Sequence, residues 1–262
     1  MYLRTYGRPA HRFCGEDPHP HGGTHRDPLP ARPVAGAIHW YMIKNLMRGL
    51  APLALILSPL VVPSPALSAG VVLFPDALAE LTEASEDPDG YQESAFAHWN
   101  QGLDAADGCD TRSEVLLAEA EDAPKSGKDC ALTGGRWTSY YDGQSVSDPG
   151  LLRVDHVVAL EEAWQSGASG WTAARREQYA NDQGAAATLV AVTARSQKEK
   201  AGRDPAEWVP EDSARYCRYV GEWVSTKLRW GLSVDKDEME ALKLFADGPC
   251  EQTVVMRSTA PR

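Results

Sequence analysis

Positive charge is scarce in this chain. From residue 70 onward, 19 Lys and Arg face 34 Asp and Glu, a net charge of −15 with histidine neutral. A field of that sign repels polyanions, so nucleic-acid binding by overall electrostatics is excluded and any phosphate-binding surface must be local. The one candidate stretch is Arg175 to Arg203, where Arg175, Arg176, Arg195, Lys198, Lys200 and Arg203 outnumber Glu177, Asp182 and Glu199. On charge alone a solvated helix face is an equal competitor. Also missing are a phosphate-cradling glycine loop, a dinucleotide fingerprint and any internal repeat, which removes the nucleotide-binding and solenoid classes. Histidine is scarce too: after residue 69 only His98 and His156 remain.

No long unbroken apolar run exists to anchor the chain. Leu50 to Val62 is interrupted by Pro52 and Pro59 and is too short to span a bilayer comfortably. Preceded by the basic Met42-Ile-Lys-Asn-Leu-Met-Arg48 and followed by the small-residue run Pro65-Ala66-Leu67-Ser68-Ala69, it has the layout of a secretory signal peptide over 42–69. Residues 1–41, rich in Pro, His, Arg and Gly without helical or strand periodicity, read as a disordered leader or a mis-called gene start.

Closely spaced cysteines are absent as well. Cys109, Cys130, Cys217 and Cys250 are too far apart for a compact zinc knuckle. An even count in an exported chain points to two disulfides, and of three connectivities Cys109 with Cys130 and Cys217 with Cys250 is favoured because each closes a local loop. That pairing also argues against a hydrolase with a catalytic cysteine.

What is present is enough for one sizeable domain, with 43% hydrophobic residues overall. Residues 70–106 read as a helical N-terminal segment, with Leu78, Leu81, Phe96 and Trp99 as apolar positions around a break at Asp87-Pro-Asp-Gly90. A short helix is expected at Thr111 to Ala120. Trp137, Tyr140 and Tyr141 read as core or hairpin packing before the turn Asp142-Gly143. Leu151 to Leu160 is a strand-like apolar run, Trp171 to Asp182 a helix capped at Ser169-Gly170, Thr188 to Thr193 a β-branched strand, and Ser196 to Gly202 an exposed helical turn. An amphipathic helix over about Asp212 to Trp230 ends at Gly231, and a second begins at Asp235 with Glu238 placed as a capping box.

The apolar run at 151–160 contains one polar pair, Asp155-His156, which costs free energy there unless it is paired or binds metal. A carboxylate can hold a hard divalent cation while the neighbouring imidazole, pointing to the other side of an extended chain, activates water. An edge strand exposing both groups explains a lone dipeptide equally well. His98, in Ala-His-Trp-Asn on a predicted helix, reads as a surface or packing residue.

The surroundings of the pair carry a resemblance. Arg153-Val-Asp-His-Val-Val-Ala-Leu-Glu-Glu-Ala-Trp-Gln-Ser-Gly-Ala, then Trp171, Arg176, Tyr179-Ala-Asn-Asp182, Leu189-Val-Ala-Val-Thr193 and Lys200 before Asp204-Pro-Ala-Glu-Trp-Val-Pro210, resembles the secreted bacterial HNH endonucleases. It extends upstream through Cys109-Asp-Thr-Arg-Ser-Glu-Val-Leu116 and Trp137-Thr-Ser-Tyr-Tyr-Asp-Gly143, and downstream through Trp223 to Glu240, covering most of residues 105–250.

The resemblance implies an α+β fold, a ββα-metal (HNH) core embedded in a mainly helical, disulfide-bonded single domain over 107–250; residues 251–262 beyond it are expected to be a flexible tail. It implies that Asp155 binds a divalent ion, Mg²⁺ first with Mn²⁺, Ca²⁺ or Zn²⁺ as alternatives, and that His156 is the general base. Lys200 is then expected near the phosphates, with Arg112 and Glu114 as supports. Gln197 stands where the family has an Asn ligand, and Lys200-Ala201-Gly202 where it has Lys-Gly-Asp. The implied partner is DNA, with RNA second; the signal-peptide layout makes the expected product a secreted, extracellular protein without stable membrane association after cleavage, and a monomer is expected. The alternative is a catalytically degenerate nucleic-acid-binding module on the same scaffold.

Overall fold

The computed structural model describes residues 70–186 and 188–261; the expected leader and signal peptide lie outside them. β1 (Gly70–Leu73) runs directly into α1 (Phe74–Leu78), whose Pro75 sits in the first turn, where a missing N–H costs nothing. A long loop with one 3-10 turn at Glu93–Ala95 leads to α2 (Thr111–Glu119), capped by Asp110, which accepts from the Ser113 amide at 2.7 Å. Two short hairpins follow, β2 (Lys125–Ser126) with β3 (Leu132–Thr133) and β4 (Trp137–Thr138) with β5 (Ser145–Val146). Then come β6 (Leu152–His156), α3 (Leu160–Gln165), α4 (Ala173–Ala180), β7 (Leu189–Thr193) and α5 (Ala194–Lys200). α6 (Tyr216–Trp230), α7 (Lys236–Ala246) and β8 (Val254–Arg257) complete the order.

The result is a mixed α/β domain with two disulfides, Cys109–Cys130 and Cys217–Cys250, the favoured connectivity. Its main core gathers α6 residues Val220, Trp223 and Val224 with Tyr179 of α4, Val190 and Val192 of β7, and Leu242 of α7. A smaller core joins Val115 and Leu116 of α2 to Trp137, Leu152, Val154, Leu189 and Ala191. Alternation along β7 therefore sends Val190 and Val192 to one core and Leu189 and Ala191 to the other, burying the strand on both faces. α6 ends as its sequence suggests, with Gly231 in the left-handed conformation at φ 67°.

Four expectations are corrected. Residues 70–106 are helical only at Phe74–Leu78 and in the 3-10 turn; the apolar side chains instead dock singly, Phe96 edge-on to Trp164 and Tyr179, in an extended loop. The tail at 251–262 contains a strand, β8, paired antiparallel with β1 and packed through Val255 against α6, a partnership invisible to local pattern because the strands are far apart in sequence. The cap of α4 is Thr172, which accepts from the Arg175 amide, one turn later than Ser169-Gly170. Glu238 does not reciprocate the Asp235 cap of α7; it is fully buried and receives hydrogen bonds from Trp223 Nε1 and Lys227 Nζ.

Candidate functional site

Among the described residues β6 has a strand partner on one side only, β7, in the register Arg153↔Val192, Asp155↔Val190 and His156↔Leu189. An unpaired strand edge presents carbonyls that need donors. Side chains supply them: Arg112 and Arg153 donate to the Leu152 carbonyl, Gln197 Nε2 lies 3.5 Å from that of Val154, and Lys200 Nζ donates to that of His156 at 3.1 Å. Along this edge runs a cleft of about 310 Å³, lined among others by Arg112, Arg153, Asp155, His156 and Gln197. Asp155 and His156 point to opposite faces of an extended strand, yet both reach the cleft because it sits over the edge and not over a face.

His156 is the more tightly held of the pair. Its ring lies between Trp99 and Tyr179, at centroid distances of 5.7 and 5.9 Å and near-parallel angles of 23° and 20°. Nε2 donates to the Ala180 carbonyl at 2.9 Å, which fixes the tautomer and leaves the lone pair on Nδ1. Burial pushes the imidazole down to about 4, so it is neutral at pH 7 and able to accept a proton. Asp155 is oriented from three sides: Tyr141 donates to Oδ2 at 2.8 Å, Lys200 Nζ lies 3.2 Å from Oδ2, and Gln197 Nε2 donates to Oδ1 at 3.2 Å.

The far wall of the cleft is the loop from Phe96 to Asn100. α4 holds it: Arg176 Nε donates to the Ala95 carbonyl, and Asn181 donates to Ala97 and accepts from the Asn100 amide. Within the loop Trp99 has φ 58°, a conformation a bulky residue adopts only when its surroundings enforce it, at a cost of about 1–3 kcal/mol. That geometry lays Trp99 on His156 and brings His98 edge-on to both rings, so His98 packs as expected but lies in a loop lining the cleft and not on a helix.

Asp155, His156, Gln197, Lys200 and Arg112 thus come together, but two of the expected roles change. Lys200, expected near phosphates, is fully buried beneath the strand, where an ion pair with Asp155 and a bond to the His156 carbonyl occupy it. Glu114 stands outside the cleft. It accepts from the Leu103 and Asp104 amides and from Gln183, and although burial works against ionisation these bonds hold its carboxyl below the usual value. The basic stretch is divided: Arg175 lies half-buried over Trp171 and Trp230 and Arg176 caps carbonyls, whereas Arg195, paired with Glu199, and Lys198 and Arg203 are exposed but do not line the cleft. The positive charge of the cleft comes instead from the exposed Arg153 and the half-buried Arg112. Tyr141 and Trp99 escaped the sequence reading because their signal is a contact across 14 and 57 residues, which no periodicity encodes.

Beyond Ala201 and Gly202 a second, acidic cavity of about 710 Å³ opens, containing Glu86, Glu162 and Asp204, whose carboxyl oxygens lie within 4.8 Å of one another. Burial, then the charges of Glu162 and Asp235, push Glu86 up to about 8. A carboxyl raised in the folded state stabilises below its unfolded pKa and loses that contribution as pH climbs through the folded value. Glu86→Gln is therefore expected to raise the Tm at pH 8 while leaving it nearly unchanged at pH 5. Differential scanning calorimetry at the two pH values checks it, and an equal shift at both removes Glu86 as the titrating group.

Fold and cleft define a class: a disulfide-bonded mixed α/β domain that sets an imidazole, a carboxylate and two guanidiniums along one strand edge. No family model matches the chain, and no solved structure matches it. A protein of Arthroderma benhamiae described as an uncharacterized secreted protein is 33% identical over 194 residues, covering 74% of this chain and 93% of that protein. The chain belongs to the same family. It is a secreted protein, as its disulfides suit, and among the described residues no helix is long and apolar enough to cross a membrane.

Proposed function

We propose that the chain is a metal-dependent endonuclease of the HNH kind, hydrolysing phosphodiester bonds in DNA, with RNA as the second candidate, and with little sequence specificity. The observation that carries this reading is His156, held by the Ala180 carbonyl and two flanking rings so that its basic nitrogen is Nδ1, beside an Asp155 carboxylate and two arginines in one cleft. The β6–β7 pair followed directly by α5 supports the strand, strand, helix arrangement of such enzymes, with the two key residues at the end of the first strand and Gln197 on the helix.

The residues present fit a hard divalent ion. Asp155 Oδ1 faces Gln197, and turning that amide over exchanges its nitrogen for its oxygen, giving two oxygen donors side by side, while Oδ2 stays with Tyr141 and Lys200. So few protein ligands suit Mg²⁺, which keeps most of its waters, with Mn²⁺, Ca²⁺ or Zn²⁺ as alternatives. When bound, the ion supplies charge neutralisation at the scissile phosphate. His156 Nδ1 takes the proton of the attacking water, and Arg112 and Arg153 hold phosphate oxygens. Contacts of that type position a duplex without reading its sequence.

The test is conversion of supercoiled plasmid to nicked circles by the purified protein, expected with a divalent ion and absent with a chelator. Tight DNA binding without cleavage under any of the four ions would favour the degenerate binding module instead. Gln197→Asn, which restores the shorter arm usual at this position, is expected to leave nicking equal or higher in the same assay; a large loss would show that the longer amide is specifically required.

A further inference from the structure

An in-line displacement places the attacking and leaving oxygens on opposite sides of phosphorus, so an imidazole that takes the proton of the attacking water cannot also deliver one to the leaving 3′ oxygen. The second histidine of the described residues faces the same cleft. His98 Nδ1 donates to the Phe96 carbonyl at 2.7 Å, which leaves Nε2 as the nitrogen free to exchange protons, and that atom lies 3.5 Å from Glu93 Oε1. The rings of His98 and His156 are 6.3 Å apart and nearly perpendicular, so the two imidazoles are neighbours lining the same cleft. Trp99 sets it, touching His98 edge-on at 5.2 Å and stacking on His156. The strained backbone at Trp99 is maintained although it costs stability, as expected where a loop must hold a reactive group in place.

We propose that His98, paired with Glu93, is the general acid that protonates the leaving oxygen; this rests on the nuclease reading of the cleft. In the step, water oxygen bonds to phosphorus as its proton passes to His156 Nδ1. The bond between phosphorus and the 3′ oxygen breaks, its electron pair stays on oxygen, and that oxygen takes the proton of His98 Nε2. Solvent then removes the proton from His156 and returns one to His98 Nε2, beside Glu93 Oε1.

The experiment compares a labelled duplex having an ordinary linkage at one position with the same duplex having sulfur in place of the bridging 3′ oxygen there. A thiolate leaves without a proton, so it bypasses the acid. His98→Asn is expected to slow cleavage at the oxygen linkage by about 100-fold or more and at the sulfur linkage by less than about threefold. Glu93→Gln, a change at an exposed side chain that leaves the fold undisturbed, is expected to show a smaller loss confined to the oxygen linkage. His156→Ala is expected to slow both. Equal losses at the two linkages in His98→Asn, or none at either, would overturn the assignment while leaving the nuclease reading intact. Failure of the unaltered protein to cut either duplex with any divalent ion would remove both.

Discussion

Replacing His156 by alanine is expected to lower metal-dependent plasmid nicking by about 10²–10⁴-fold, the range that a positioned general base contributes. The expectation rests on three features that act on one ring. The Ala180 carbonyl selects the tautomer, the Trp99 and Tyr179 rings fix its plane, and burial keeps it neutral at pH 7. A residue that only filled space would lose stability on truncation and keep its rate per folded molecule. Thermal unfolding measured beside the nicking assay separates the two, and a variant that nicks at the original rate would take His156 out of the chemistry.

Lys227→Met is expected to produce the largest loss of stability. Lys227 is fully buried and its ammonium bonds Glu162 Oε1 at 2.7 Å, Glu238 Oε2 at 2.6 Å, Ser166 Oγ at 3.1 Å and the Ser233 carbonyl at 2.8 Å. Burial alone would pull its pKa down, but the two carboxylates outweigh that and the net direction is up. Methionine fits the volume and leaves two carboxylates in the core without a cation, a defect worth about 3–5 kcal/mol, or on the order of 10 °C in Tm. Burial already pushes Glu238 up to about 7 with Lys227 in place. A carboxyl raised in this way stabilises the fold when protonated and penalises it as pH rises, so the deficit is expected to be smaller at pH 5 than at pH 8. Urea unfolding at both values measures it; a loss independent of pH would mean that the packing of the lysine stem matters and its charge does not.

Much of the site was legible because its chemistry breaks a local rule. An aspartate and a histidine inside an apolar strand demand partners whatever the fold, and the partners exist as Tyr141, Lys200, Gln197 and Ala180. Lys200 lies in the expected neighbourhood but buried, and Glu114 lies outside the cleft, because how far a charged side chain reaches is unknown until the packing around its element is known. The arginines at 175 and 176 show the same limit: whether a guanidinium meets phosphate or stacks on Trp171 depends on the orientation of a helix, which composition does not state.

The amino-acid sequence by itself determined the elements whose signals are short-range: the strands around Asp155 and Val190, the amphipathic α6 with its terminal Gly231, and two disulfides that each close a local loop. Tertiary structure alone decided that β1 meets β8, that Lys227 neutralises Glu162 and Glu238, and that the loop with His98 and Trp99 closes over His156. Those pairings bring together groups far apart in the chain, and their free energy depends on burial and mutual distance, quantities that exist only once the chain has packed.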